Sequence, residues 1–202
     1  MSLAVRLGLA AVPAMAVLAM MVGDPALAYD AGAGKAKAEA LCAGCHGKQG
    51  RSQQPAVPSL AGQHNDYIVL ALYQFRAGHR PSALMAPIAA TLTDSDLGNL
   101  AAYYSALKPW GAERSAAAAA VAGGPALTQQ RNCVQCHGPG LAGQDSVPRI
   151  AGQKIDYLKS QLRAFRAGNR GDIDGNMTSA ASQLTDGEID TLADYVSGLA
   201  TP

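Results

Sequence analysis

Two short stretches carry the chemistry of this chain. Cys42-Ala43-Gly44-Cys45-His46 and Cys133-Val134-Gln135-Cys136-His137 each hold two thiols separated by two residues, with a histidine directly after the second. That spacing is the attachment pattern of a c-type haem. Two thiols so placed reach both vinyl groups of one porphyrin as thioethers, and the adjacent histidine comes under the ring to offer its imidazole to iron. Three rival chemistries fit less well. A four-cysteine zinc site needs its pairs together, yet Cys45 and Cys133 stand 88 residues apart. A dithiol redox motif expects a βαβ setting, which the sequence lacks. Two local disulfides leave the repeated histidine unexplained.

A second axial ligand follows by elimination. Of six methionines, four lie before residue 22, leaving Met85 and Met177. Met85 comes 39 residues after His46 and Met177 comes 40 after His137. Each stands seven residues before a Leu-Thr-Asp, so they occupy one register in two copies. Gap-filling core methionine is the plain alternative. Bis-histidine ligation is the chemical rival, but the second copy contains His137 alone. His64 and His79, opposite Lys154 and Asn169, read as surface residues. A His/Met pair raises the reduction potential and closes the iron to dioxygen and peroxide, which suits electron transfer. Around these ligands, the Pro58 and Pro148 carbonyls can accept the imidazole N–H and fix its orientation, or simply belong to turns. Arg76, Arg80, Arg166 and Arg170 can neutralise haem propionates, or serve as helix-end cations. Tyr67, Tyr157, Tyr103 and Tyr195 read as haem-packing residues.

Positioning these groups falls to a duplicated unit. Besides the cysteine motif, Pro58-Ser59-Leu60-Ala61-Gly62-Gln63 recurs as Pro148-Arg149-Ile150-Ala151-Gly152-Gln153. Phe75-Arg76-Ala77-Gly78-His79-Arg80 recurs as Phe165-Arg166-Ala167-Gly168-Asn169-Arg170, and Leu92-Thr93-Asp94 as Leu184-Thr185-Asp186. The offsets stay between 90 and 92, so only small indels separate the copies. Helical periodicity dominates both. Tyr67, Ile68, Ala71, Leu72 and Phe75 share one face, repeated by Tyr157, Leu158, Leu162 and Phe165. Gly78 and Gly168 mark helix ends, and Thr185 with Glu188 forms a capping box opening the last helix. A shorter helix precedes each cysteine pair. The fold class is all-α.

Composition agrees. Aromatics are only 5% of the chain and alanine carries much of the 49% hydrophobic content, so side chains alone make a thin core. A porphyrin in the centre of each unit supplies the missing apolar mass, and the apo-protein is expected to fold poorly. The net charge of +1, with 15% charged residues, excludes a basic nucleic-acid face. Residues 1–28 read as a secretory signal peptide: Arg6, an apolar run from Leu7 to Val22, and Ala26-Leu27-Ala28 as the cleavage site. A retained anchor is the alternative, but the run falls short of the roughly 20 residues that span a bilayer. The organisation is thus a signal peptide (1–28), a unit at 29–110, a linker with an alanine run at 111–125, and a second unit at 126–202.

The ordered set CxxCHG, P-x-x-AGQ, tyrosine helix, F-R-A-G-x-R, Met and L-T-D, occurring twice, resembles the dihaem cytochrome c4 family over residues 29–202. The resemblance implies two tandem class I cytochrome c domains related by a pseudo-twofold. It implies covalent haem on Cys42, Cys45, Cys133 and Cys136, with His46 and Met85 on one iron and His137 and Met177 on the other. Family members are periplasmic electron carriers, some loosely membrane-associated, passing electrons towards terminal oxidases and other respiratory complexes. The expected function is therefore a non-enzymatic electron carrier. Two alternatives stand beside it: a haem subunit of an enzyme complex, such as a flavocytochrome c sulfide dehydrogenase, and a dihaem peroxidase-type catalyst, which needs an open iron.

Overall fold

Each half starts with the helix that leads into its cysteine pair. In the computed structural model, which describes residues 29–112 and 122–200, α1 (Ala31–Leu41) runs into the short α2 (Ala43–His46) that carries Cys45 and His46. The proposed signal segment and the alanine run at 113–121 lie outside the described residues. After α2 come α3 (Asn65–Arg76), α4 (Met85–Ala89) and α5 (Asp94–Ser105). The second half repeats the order as α6 (Gly124–Gln130), α7 (Cys133–His137), α8 (Ile155–Arg166), α9 (Asn176–Ser182) and α10 (Asp186–Ser197). Among the described residues no strand forms; one isolated bridge joins Gln144 and Val147. The fold is all-α, one five-helix unit occurring twice in tandem.

The ends of these helices are set locally. Thr93 and Thr185 cap α5 and α10. Thr185 N–H donates to Glu188 Oε2 (2.8 Å) while Glu188 N–H donates back to Thr185 Oγ1 (3.2 Å). The same reciprocal pair joins Thr93 and Asp96 at 3.0 and 3.1 Å, a box that the sequence pattern does not announce because aspartate replaces the usual Glu or Gln. Gly78 and Gly168 follow the C-caps of α3 and α8 with φ of +77° and +70°, the left-handed turn that ends a helix.

Within each half the first helix packs on the last, α1 on α5 and α6 on α10, with the middle helix beside the last. Glycine permits the close approach. A Cβ on Gly34 would lie 1.9 Å from the Asn99 carbonyl oxygen and 3.0 Å from Tyr103 Cβ. On Gly124 it would lie 2.5 Å from Tyr195 Cβ. Tyr103 and Tyr195 thus bear on the opening helix of their own half. The first core gathers Ile68, Leu92, Leu97, Leu100 and Tyr104; the second gathers Leu141, Leu158, Ile189, Leu192 and Val196 in two adjoining clusters.

The halves are clasped by a reciprocal exchange. Gln63 Nε2 donates to Arg149 O (3.0 Å) and its Oε1 accepts Arg149 N–H (2.8 Å). Gln153 does the same to Ser59, at 3.0 and 2.9 Å. Ser59 and Arg149 hold equivalent places in the repeat, so the exchange has pseudo-twofold symmetry. Trp110, beyond α5, is buried and donates its indole N–H to Ala151 O of the second half (3.0 Å).

Candidate haem sites

The CxxCH segment of each half forms one helical turn. Cys42 lies half-buried at the junction of α1 and α2, Cys45 is exposed, and Cys133 and Cys136 repeat that pattern on α7. None of the four thiols forms a disulfide. Burial pushes the Cys42 and Cys133 thiols up. The two pairs do not gather: among the described residues no three of His, Cys, Asp and Glu converge to hold a metal ion.

His46 and His137 are buried. His46 Nδ1–H donates to Pro58 O at 2.9 Å, and His137 Nδ1–H donates to Pro148 O at 2.9 Å. Burial lowers both imidazole pKa values, outweighing the proline carbonyl that raises them. Each ring is therefore held neutral with Nδ1 engaged, which leaves Nε2 as the nitrogen with a free lone pair. The Pro-x-x-Ala-Gly-Gln turn is in turn tied to the last helix: Gly62 N–H donates to Tyr104 O and Gly152 N–H to Val196 O, both at 2.8 Å.

Met85 opens α4 and Met177 lies in the first turn of α9, both half-buried. Met177 packs beside the cluster of Phe165, Ala181, Leu184, Ile189 and Leu192. Neither short helix was foreseen in the sequence. The backbone of Met85 is held by Ser82 Oγ (3.0 Å) and that of Met177 by Asp172 Oδ2 (2.7 Å).

The four repeated arginines divide into two kinds. Arg76 donates to Leu92 O (3.0 Å) and Asp94 (2.6 Å), and Arg166 to Leu184 O (3.0 Å) and Asp186 (2.8 Å), bracing the middle helix against the start of the last. Arg80 and Arg170 instead fold back over Phe75 and Phe165, at 4.4 and 4.3 Å from the ring centroids. Both then reach across the interface. Arg80 donates to Tyr157 Oη (2.8 Å) and Gln161 Oε1 (3.0 Å); Arg170 donates to the same Gln161 oxygen (2.5 Å) and lies 3.5 Å from Tyr67 Oη. These partners are phenols and an amide, so the two cations go unneutralised by any carboxylate among them. Burial would raise the Tyr67 phenol, but Arg80 and Arg170 outweigh it and bring it down to about 8.

His64 corrects an expectation. It is half-buried at the interface, its Nε2–H donating to Ala142 O of the other half at 2.8 Å. His79 is exposed. Gln63, Gln153, Gln161 and Trp110 were not singled out in the sequence. The repetition of Gln63 and Gln153 was visible, but an amide carries no signature that says what it binds.

Comparison with known proteins decides the family. Residues 121–200 match the cytochrome c family, and residues 30–103 match the family described as cytochrome c oxidase, cbb3-type, subunit III. Cytochrome c4 of Thiocapsa roseopersicina is 41% identical over 195 residues, which span 90% of this chain and 96% of that one. The chain belongs to the cytochrome c4 family. A crystal structure of reduced recombinant cytochrome c4 from Pseudomonas stutzeri superposes with a TM-score of 0.71 at 33% identity, covering 84% of this chain and 98% of that one. A protein named thiosulfate dehydrogenase electron acceptor, from Stutzerimonas stutzeri, is 38% identical over 165 residues, 76% of each chain.

As a dihaem member of this family the chain carries two covalently bound c-type haems. Its residues fit them. Each half offers a neutral buried imidazole with Nε2 free, paired thiols on the same turn and one thioether in register. Arg149 Nη1 and Arg170 Nε are buried without a protein partner, as suits groups that meet propionate carboxylates.

Proposed function

We propose that the chain is a periplasmic carrier that accepts single electrons from a respiratory donor and passes them to a terminal oxidase, with no substrate of its own. The observation that supports it best is the twice-made bond from a CxxCH imidazole to a proline carbonyl, with one methionine per half in register. Bound haem supplies an iron that gains and loses one electron. Cys42, Cys45, Cys133 and Cys136 tether the groups. His46 and His137 would ligate through Nε2, their rings oriented by the Pro58 and Pro148 carbonyls. Met85 and Met177 would offer their thioethers to the two irons and so keep out dioxygen and peroxide. Arg80 and Arg170 would meet the propionates, while Arg76 and Arg166 brace the helices. The units are 29–110 and 126–202, joined by 111–125 and exported behind residues 1–28, which are removed after Ala28.

Two exposed apolar side chains support contact with protein partners. Leu84, directly before Met85, is 76% exposed, and Ile173, in the loop before Met177, is 72% exposed. A second reading has the chain take electrons directly from an enzyme, as the relative named a thiosulfate dehydrogenase electron acceptor is said to do. One experiment separates them. The reduced protein is mixed with membranes bearing a haem–copper oxidase, and the oxidised protein with thiosulfate dehydrogenase and thiosulfate. Cyanide-sensitive reoxidation by the membranes supports the first reading. Reduction by the enzyme, with no reoxidation by the membranes, supports the second.

A further inference from the structure

The two repeats differ in how each methionine is anchored. In the first half the chain from Pro81 to Ala90 has no charged side chain, and the neutral Ser82 hydroxyl accepts the Met85 amide at 3.0 Å. In the second half the loop between the arginine and the methionine is two residues longer and carries Asp172 and Asp174. Asp172 stands where Ser82 stood and makes three bonds. Its Oδ2 accepts Met177 N–H (2.7 Å), and its Oδ1 accepts Thr178 N–H (3.1 Å) and the Thr178 hydroxyl (2.6 Å). Asp174 is turned to Asn176, whose side chain donates to it at 2.6 Å. Neither carboxylate forms an ion pair among the described residues.

We propose that Asp172 is a positioning residue that sets the second haem site apart from the first, pinning the Met177 segment by three hydrogen bonds and placing a fixed negative charge beside it. The proposal rests on Met177 being the second axial ligand. Its physical basis is charge. Ferric haem carries one more positive charge than ferrous haem, so a fixed anion nearby favours the oxidised form and lowers the potential. The first site, anchored by a hydroxyl, has no such term from its methionine segment.

The test is a redox titration of the intact dihaem protein with Asp172→Asn, which keeps an acceptor oxygen and removes the charge. One of the two midpoints is expected to rise, a several-fold shift in that site's reduction equilibrium, while the other stays in place. The methionine–ferric-iron charge-transfer absorption should keep its two-site strength. Asp172→Ser, which copies the anchor of the first half, should move the same midpoint the same way if the asparagine variant does not assemble. Ser82→Asp should lower the other midpoint. A lower melting temperature with both midpoints unmoved would make Asp172 a structural anchor only and overturn the proposal. The ligand reading fails separately: wild-type protein with charge-transfer strength for one site, or Met177→Ala with that strength undiminished, would remove the premise and the proposal with it.

Discussion

At the scale of single residues, the chemistry lies in groups whose surroundings leave one atom available. His46 and His137 are kept neutral by burial and oriented through Nδ1, so each has one nitrogen free to bind metal. On this account Met177→Ala leaves the second haem attached, because the Cys133 and Cys136 thioethers hold it, but opens one axial position. The expected result is a charge-transfer band of half strength and a fall in one midpoint only, read by optical redox titration. Cysteine, histidine and methionine were legible in the sequence because their spacing repeats and their chemistry is specific. Polar residues that bind only backbone were not. His64 looked like a surface residue because lysine stands opposite it in the other copy, yet it reaches Ala142 O across the interface. Arg76 and Arg80 looked alike; only the fold shows that one braces a helix corner and the other crosses between halves.

At the scale of elements, caps and glycines decide where helices start and how closely they cross. Glu188 closes the α10 capping box and also meets Arg131. The Thr185 amide first, then Arg131, pull its carboxyl from 4.5 down to about 2. The folded state therefore favours the carboxylate. Its contribution is complete above pH 4.5 and fades as pH falls through about 2. Melting temperatures of wild type and Glu188→Gln should differ at neutral pH and converge towards pH 2; a constant difference would contradict this origin. Gly34 makes a steric prediction. Valine there places its Cβ against the Asn99 carbonyl, so α1 and α5 must separate, at a cost of about 1–3 kcal/mol or more. Thermal unfolding of the haem-loaded variant checks it. The long helices were legible from their apolar stripes. The short α4 and α9 were not, because five and seven residues give too few turns for periodicity to show.

At the scale of the whole molecule, duplication was legible in the residues, the pseudo-twofold docking only through the family resemblance, and the bonds that make it not at all. The repeat revealed two equal units; nothing in it said that Gln63 and Gln153 would each bind the backbone of the opposite half. Those four bonds satisfy backbone groups at a mostly buried seam, so removing one side chain leaves partners unmet, at about 1–3 kcal/mol each. Gln63→Ala with Gln153→Ala should loosen the halves without unfolding either. Small-angle scattering should show a larger radius of gyration, and the two haem spectra should stay intact. The proposed electron carrier requires two closed, methionine-ligated haems per chain. Haem quantified against protein, with optical spectra of the oxidised and reduced forms, tests that most directly. The prediction is two covalent haems, low-spin in both states, with a methionine–ferric-iron band of two-site strength. A single haem per chain, or one high-spin iron that binds carbon monoxide, would contradict it.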